Sequence, residues 1–244
     1  MYFGHEKKGV FTMGSLRDIN EFVMDKLKGR VVLNPVSLKF PFPERPLRTL
    51  GLVKIEGEVY SSERFTRILL MKATIPWLRD VYSIYFNPKV DFDLPIFTSD
   101  IVIKGRGRLF ILDIHRREGG ERPDDTALYE RLIETRGKYP SLLKNKTSLQ
   151  GPIQNIFSKA ACLVNITEDQ DSDALQLFRG YLAVFLEVVE GALPLTGEAL
   201  AKAHENFERY LKTIVEYDPG VKVYTKLFGK EGGVTRALDL FFGQ

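Results

Sequence analysis

The chain is poor in the residues that most directly announce chemistry. Among 244 residues it has one cysteine, Cys162, and three histidines, His5, His115 and His204. A lone thiol makes no disulfide within the chain and cannot hold an iron–sulfur cluster, which needs several thiolates. Cys162 sits in the apolar run Ala160-Ala161-Cys162-Leu163-Val164, with no histidine near it in sequence. It therefore reads as a small buried residue rather than a nucleophile. The histidines lie far apart, without the paired spacing of a metal site. A strong excess of either charge is also missing. Lys and Arg number 35 against 32 Asp and Glu, a net charge of +3, too little for the clustered basic surface of a nucleic-acid binder. No apolar run approaches the roughly 20 residues that span a bilayer, and no signal-peptide pattern is visible. The expectation is a cytoplasmic protein with neither nucleic-acid nor membrane partners.

Common catalytic signatures are absent too. No G-x-x-x-x-G-K-S/T phosphate loop and no G-x-S-x-G elbow occur. Gly105 and Gly107 lack the third glycine and following helix of a dinucleotide fingerprint and read as a hairpin turn. A redox enzyme with this sequence carries no recognisable cofactor motif, so its electrons come from outside.

What the chain does have is an ordinary globular balance, 44% hydrophobic and 27% charged, with 17 Phe and 10 Tyr. That supply fills a core, and it can also wall a flat conjugated ligand. Residues 1–12 read as a loose leader, and 13–244 as one domain. Ser15 and Asp18 begin a capping pattern, and Leu16, Ile19, Phe22, Val23 and Leu27 recur at helical spacing up to Gly29. The prolines between Asn34 and Pro46 impose an extended entry. Five strand-like runs follow: Leu52–Glu56, Phe65–Ile75, Asp80–Phe86, Ile96–Ile103 and Leu109–Ile114. Their connections are too short for parallel crossovers, so they predict an antiparallel meander. After His115 the pattern becomes helical, near Thr126–Arg136, Asp171–Val189, Thr196–Glu216 and Lys222–Leu240. Ile153–Ile166 fits strand or helix equally. Strands first and helices later predict an α+β fold, a sheet covered by helices.

One ordered set of short motifs resembles the ferredoxin-dependent bilin reductase family. It comprises Phe65-x-Arg67, then Leu94-Pro95-Ile96-Phe97-Thr98-Ser99-Asp100 followed by Leu112-Asp113. Further along come Ile156-Phe157-Ser158 before Cys162-Leu163, then Asp218 ten residues ahead of Phe228-Gly229-Lys230-Glu231, and a closing Leu238-Asp239-Leu240-Phe241-Phe242. The resemblance runs from about Leu52 to Phe242. It implies a three-layer α/β/α sandwich with a central, mostly antiparallel sheet flanked by helices. Biliverdin or a related open-chain tetrapyrrole would lie between the sheet and the C-terminal helices. It further implies single electrons from an external reduced 2Fe-2S ferredoxin, protons from side chains, bilin radicals along the way, and no bound cofactor.

The family's acidic positions fall on Asp100 and Asp218. Strand alternation puts Thr98, Asp100, Val102 and Lys104 on one face and Phe97, Ser99, Ile101 and Ile103 on the other. A buried Asp100 beside a pigment would hold its proton near neutrality and donate it; the plain alternative is a solvated strand aspartate. Asp218 opens Asp-Pro-Gly and reads equally as a turn residue, and Pro219 replaces a residue that often contacts a substrate propionate. The branch that makes phycocyanobilin carries a His-x-Glu pair where this chain has Leu69 and Met71, and a further histidine where it has Tyr82. The two-aspartate pattern is closer to members that reduce the A-ring diene or the C15 bridge. The residues expected to line the substrate are Phe97, Tyr82, Met71 and Leu69. Two basic groups have double readings. Arg136, Lys138, Lys144 and Lys146 are a solvated loop or a ferredoxin-docking face, and Lys104, Arg106 and Arg108 a hairpin tip or propionate ligands. The missing His-x-Glu pair leaves room for a non-catalytic bilin carrier, and the wider resemblance for a reductase of a chlorophyll catabolite.

Overall fold

A computed structural model describes residues 15–76, 79–119 and 125–244; the expected leader at 1–12 lies outside them. Seven strands pair in sequence order into one antiparallel sheet: β1 Asn34–Pro35, β2 Lys54–Ser61, β3 Phe65–Ile75, β4 Arg79–Pro88, β5 Ile96–Lys104, β6 Gly107–His115 and β7 Cys162–Thr167. Six helices cover it: α1 Ile19–Leu27, α2 Thr126–Gly137, α3 Asp171–Gly191, α4 Gly197–Tyr217, α5 Pro219–Phe228 and α6 Lys230–Phe242. The meander arises because each connection is short. Between β5 and β6 only Gly105 and Arg106 separate the paired Lys104 and Gly107, and Gly105 takes a positive φ of 60° that a side chain would strain.

Period-two alternation sorts the strand side chains into two cores. Ile68, Leu70, Tyr82, Ile84, Phe86, Phe97, Ile101, Phe110 and Leu112 face α1, α2 and α3. Val59, Leu69, Met71, Tyr85 and Ile96 face α4, α5 and α6. The result is helix, sheet, helix, the three-layer α+β sandwich. On the first side Phe65, Phe86, Phe97, Phe178 and Phe185 form an aromatic set of edge-to-face and tilted pairs with centroids 5.3–6.0 Å apart. This is where much of the phenylalanine goes.

The structure alters several boundaries. The ambiguous Ile153–Ile166 segment contains a 3-10 turn at Pro152–Asn155 and then strand β7. Strand β2 runs through Gly57, which the sequence placed in a connection. A Cβ there would meet the Leu70 carbonyl at 2.7 Å and the Phe42 ring at 3.2 Å, so the glycine marks close packing rather than a turn. The last helical stretch is two helices, broken at Gly229, whose φ is 87°. These two helices press together at Gly233, where a Cβ would lie 2.4 Å from Thr225 Cα. Gly233→Ala is therefore expected to cost about 1–3 kcal/mol by overpacking, read as a lower denaturant midpoint. Gly232→Ala, which meets the flexible end of Arg236 at 3.4 Å and Phe228 Cβ at an ordinary 3.9 Å, should not lower it.

Candidate active site

Asp100 stands in the middle of the sheet, on the face covered by α4, α5 and α6. Antiparallel pairing fixes its row: Met71 on β3 lies opposite Ser83 on β4, Ser83 opposite Asp100, and Asp100 opposite Ile111 on β6. The adjacent row on the same face is Leu69, Tyr85, Thr98 and Asp113. Leu69 and Met71 thus share a surface with Asp100, as the sequence grouped them. Phe97 and Tyr82 do not. Strand parity turns Phe97, 0% exposed, into the aromatic set under α3, and Tyr82 into the core beside α1. Both lie on the opposite face of the sheet from Asp100, although one is only three residues away in sequence.

The Ser83 hydroxyl donates to Asp100 Oδ1 at 2.5 Å. Asp100 keeps some accessible surface, yet the sheet and helices around it exclude most solvent. Burial pushes its pKa from 3.8 up to about 6; the Ser83 hydrogen bond works against that rise, and the nearby charge of Asp218 adds to it. Asp218 connects α4 to α5. Its side chain accepts from Val221 N at 3.0 Å, capping α5 with Pro219 in the first position. Burial raises its pKa as well, opposed by the Val221 and Gly220 amides and by Lys222. Asp218 is thus both the turn residue the Asp-Pro-Gly triplet announces and an acid within electrostatic reach of Asp100.

Beside them runs a buried polar chain that was not visible in the sequence. The Tyr85 and Tyr210 hydroxyls are 3.3 Å apart, and Tyr210 Oη lies 3.0 Å from His115 Nε2. His115 Nδ1 is 3.3 Å from Asp113 Oδ2 without aligned hydrogen-bond geometry, and Asp113 accepts from Ser158 N at 3.0 Å and Ser158 Oγ at 2.6 Å. His115 and Tyr210 are each 3% exposed and Asp113 0%. Burial raises the pKa of both tyrosines, so they stay neutral donors at physiological pH. The available signal was Asp113-x-His115 in an apolar strand, two polar side chains at period two on one face. The helix partner at Tyr210 had no local signal at all.

The basic groups separate. Arg108 forms a two-pronged pair with Asp171, at 3.1 Å on each prong, which ties the hairpin to the start of α3. Arg136 donates to the Lys159 and Ala161 carbonyls, while Lys138, Lys144 and Lys146 are exposed. Cys162 is buried among α-helix contacts on the face away from Asp100, and burial pushes its thiol up to about 11, which fits an inert core residue.

Two carboxyls whose burial raises their pKa, Asp100 on the sheet and Asp218 at the junction of α4 and α5, lie on the side of the C-terminal helices. Comparison with known proteins gives the class. The family model for ferredoxin-dependent bilin reductase matches residues 21–233, and the chain belongs to that family. Among curated relatives it is similar to a phycoerythrobilin:ferredoxin oxidoreductase of Synechococcus sp. (strain CC9902), 25% identical over 157 residues, 62% of this chain and 61% of that protein. The same enzyme of Parasynechococcus marenigrum (strain WH8102) is 27% identical over 158 residues, covering 62% and 60%. The matched region thus spans about three fifths of these relatives' length. In three dimensions the chain resembles phytochromobilin synthase from tomato in complex with biliverdin. The TM-score is 0.78 at 17% identity, over 93% of this chain and 82% of that one, a likeness of fold. None of the described helices is long and apolar enough to cross a membrane.

Proposed function

We propose that residues 13–244 form one reductase domain acting on biliverdin or a close open-chain tetrapyrrole. Electrons arrive singly from a reduced 2Fe-2S ferredoxin, and protons come from Asp100 and Asp218. The observation that carries this reading is Asp100 itself, an acid at mid-sheet whose burial raises its pKa to about 6. Each electron added to the pigment brings negative charge, and a proton supplied from a low-dielectric site neutralises it. Reduction of one double bond consumes two electrons and two protons, so radical forms of the pigment lie between the two electron deliveries. Family membership and the phycoerythrobilin-forming relatives support ferredoxin as the donor and a bilin as the acceptor. Asp218, close enough for its charge to be felt at Asp100, supplies the second acid. Leu69 and Met71 occupy the places of the family's His-x-Glu pair and leave the row through Asp100 with a single carboxyl, consistent with reduction away from the D-ring vinyl group.

The test is anaerobic incubation with biliverdin, ferredoxin and a ferredoxin-reducing system, followed by chromatography of the pigment. A reduced bilin is expected. Tight stoichiometric binding with biliverdin recovered unchanged would identify a carrier, and turnover of a chlorophyll catabolite but not biliverdin would move the substrate.

The pH dependence follows from the raised pKa of Asp100. Proton donation needs the protonated acid, so kcat/KM should fall as pH rises through about 6, approaching tenfold per pH unit. Stability carries the same sign. Between 3.8 and about 6 the folded chain holds a proton at Asp100 that the unfolded chain has lost, so this contribution is full below that window and lost above it. Asp100→Asn should therefore raise Tm at pH 8 relative to the parent while leaving it little changed at pH 4.

A further inference from the structure

A cleft of about 330 Å³ opens at one end of the sheet, where the β4–β5 connection, the end of β6 and the first turns of α4 meet. Neither Asp100 nor Asp218 lines it. Its floor is apolar, with Val90, Phe92 and Leu94 among the lining side chains. Its charge is lopsided: Arg116, Arg117, Lys202 and Arg209 face Asp93 and Glu118, an excess of two positive charges. Arg116 is already matched, by Asp93 at 2.9 Å and by Asp125 at 2.5 Å. The other three cations have no carboxylate within ion-pair distance among the described residues.

Arg117 is the most telling of these. Its guanidinium lies 4.9 Å from the Phe207 ring centroid, its Nη2 donates to Asn87 Oδ1 and the Pro88 carbonyl, and its Nε is buried without a partner. Burial lowers its pKa, which marks a charge held at a cost. The buried Asn206 adds a carboxamide to the cleft wall and accepts from Arg209. Three cations over an apolar floor fit one chemistry, a carboxylate carried on an apolar body.

We infer that this cleft binds such a carboxylate through Arg117, Lys202 and Arg209. Arg117 lies over Phe207, and Phe207 packs on Phe242 together with Tyr210 and Tyr85, which joins the cleft to the face bearing Asp100. Two sources of the carboxylate share this chemistry: the acid side chains of the tetrapyrrole proposed above, in which case the inference rests on that reading, and a separate small amphipathic acid.

The experiment titrates the full chain with biliverdin and with its dimethyl ester, followed by visible absorbance, and with decanoate by calorimetry. The same titrations are made on Lys202→Met/Arg209→Met, which alters exposed side chains only, and on Ala203→Phe, which fills the cleft. If the pigment's own acids occupy the cleft, the parent binds free acid about tenfold tighter than ester and the double variant binds both alike. If a separate acid occupies it, decanoate binds the parent and is lost from both variants, while the pigment titrations do not change. The inference is overturned if acid and ester bind the parent equally and decanoate gives no heat, or if both variants keep every parental affinity. A chain that binds no pigment in either form refutes the proposed substrate, and the decanoate titration still decides the cleft.

Discussion

Asp100→Asn is expected to bind biliverdin with near-parental affinity and to lose at least a hundredfold in turnover, the scale on which a positioned general acid acts. The asparagine is isosteric, can still accept from Ser83, and removes only the transferable proton. Its arrest should be specific: the first electron enters, the pigment radical accumulates, and the second reduction stalls for want of the proton. Absorbance and electron paramagnetic resonance under anaerobic single-turnover conditions read this directly. Parental turnover by the variant would remove Asp100 from the chemistry.

Asp218 needs a different design because it has two jobs. As the N-cap of α5 it satisfies the Val221 amide, and replacing such a cap by alanine costs about 1 kcal/mol. Asparagine caps as well as aspartate, so Asp218→Asn keeps the helix start and discards the acid. Turnover is expected to drop at least tenfold with Tm within a degree or two of the parent, whereas Asp218→Ala should lose both. The loss should fall on a later step than that at Asp100, leaving a partly reduced pigment rather than the first radical. If Asp218→Asn turns over normally while Asp218→Ala merely melts earlier, Asp218 is a structural residue alone.

Much of the fold was legible from period-two strands with short connections, which left the chain no topology but a meander, and from the long amphipathic runs that became α3 and α4. Less of the site was legible, for reasons that particular residues make plain. Alternation placed Asp100 and Phe97 on opposite faces of β5, and by that parity Phe97, expected to line the substrate, goes to the other core. Tyr82 fell the same way, since it alternates with Ser83 and Tyr85, which lie on the face of Asp100. The Tyr85–Tyr210–His115 chain joins residues separated by 125 and 95 positions, and no local pattern encodes such a meeting. Gly57 fell in an expected connection and Gly233 inside the last helical stretch without a signal of its own, yet each exists because neighbouring backbone comes too close for a Cβ. Asp218 was the opposite case, where both the turn reading and the acid reading proved compatible with one geometry.

The proton at Asp100 is open to direct observation. Infrared difference spectra of the parent against Asp100→Asn, both with biliverdin bound, isolate the carbonyl stretch of that one protonated carboxyl. The band is expected to be present at pH 5 and to disappear as pH rises past about 6. A carboxyl already ionised at pH 5 in the pigment complex would contradict an acid poised to donate.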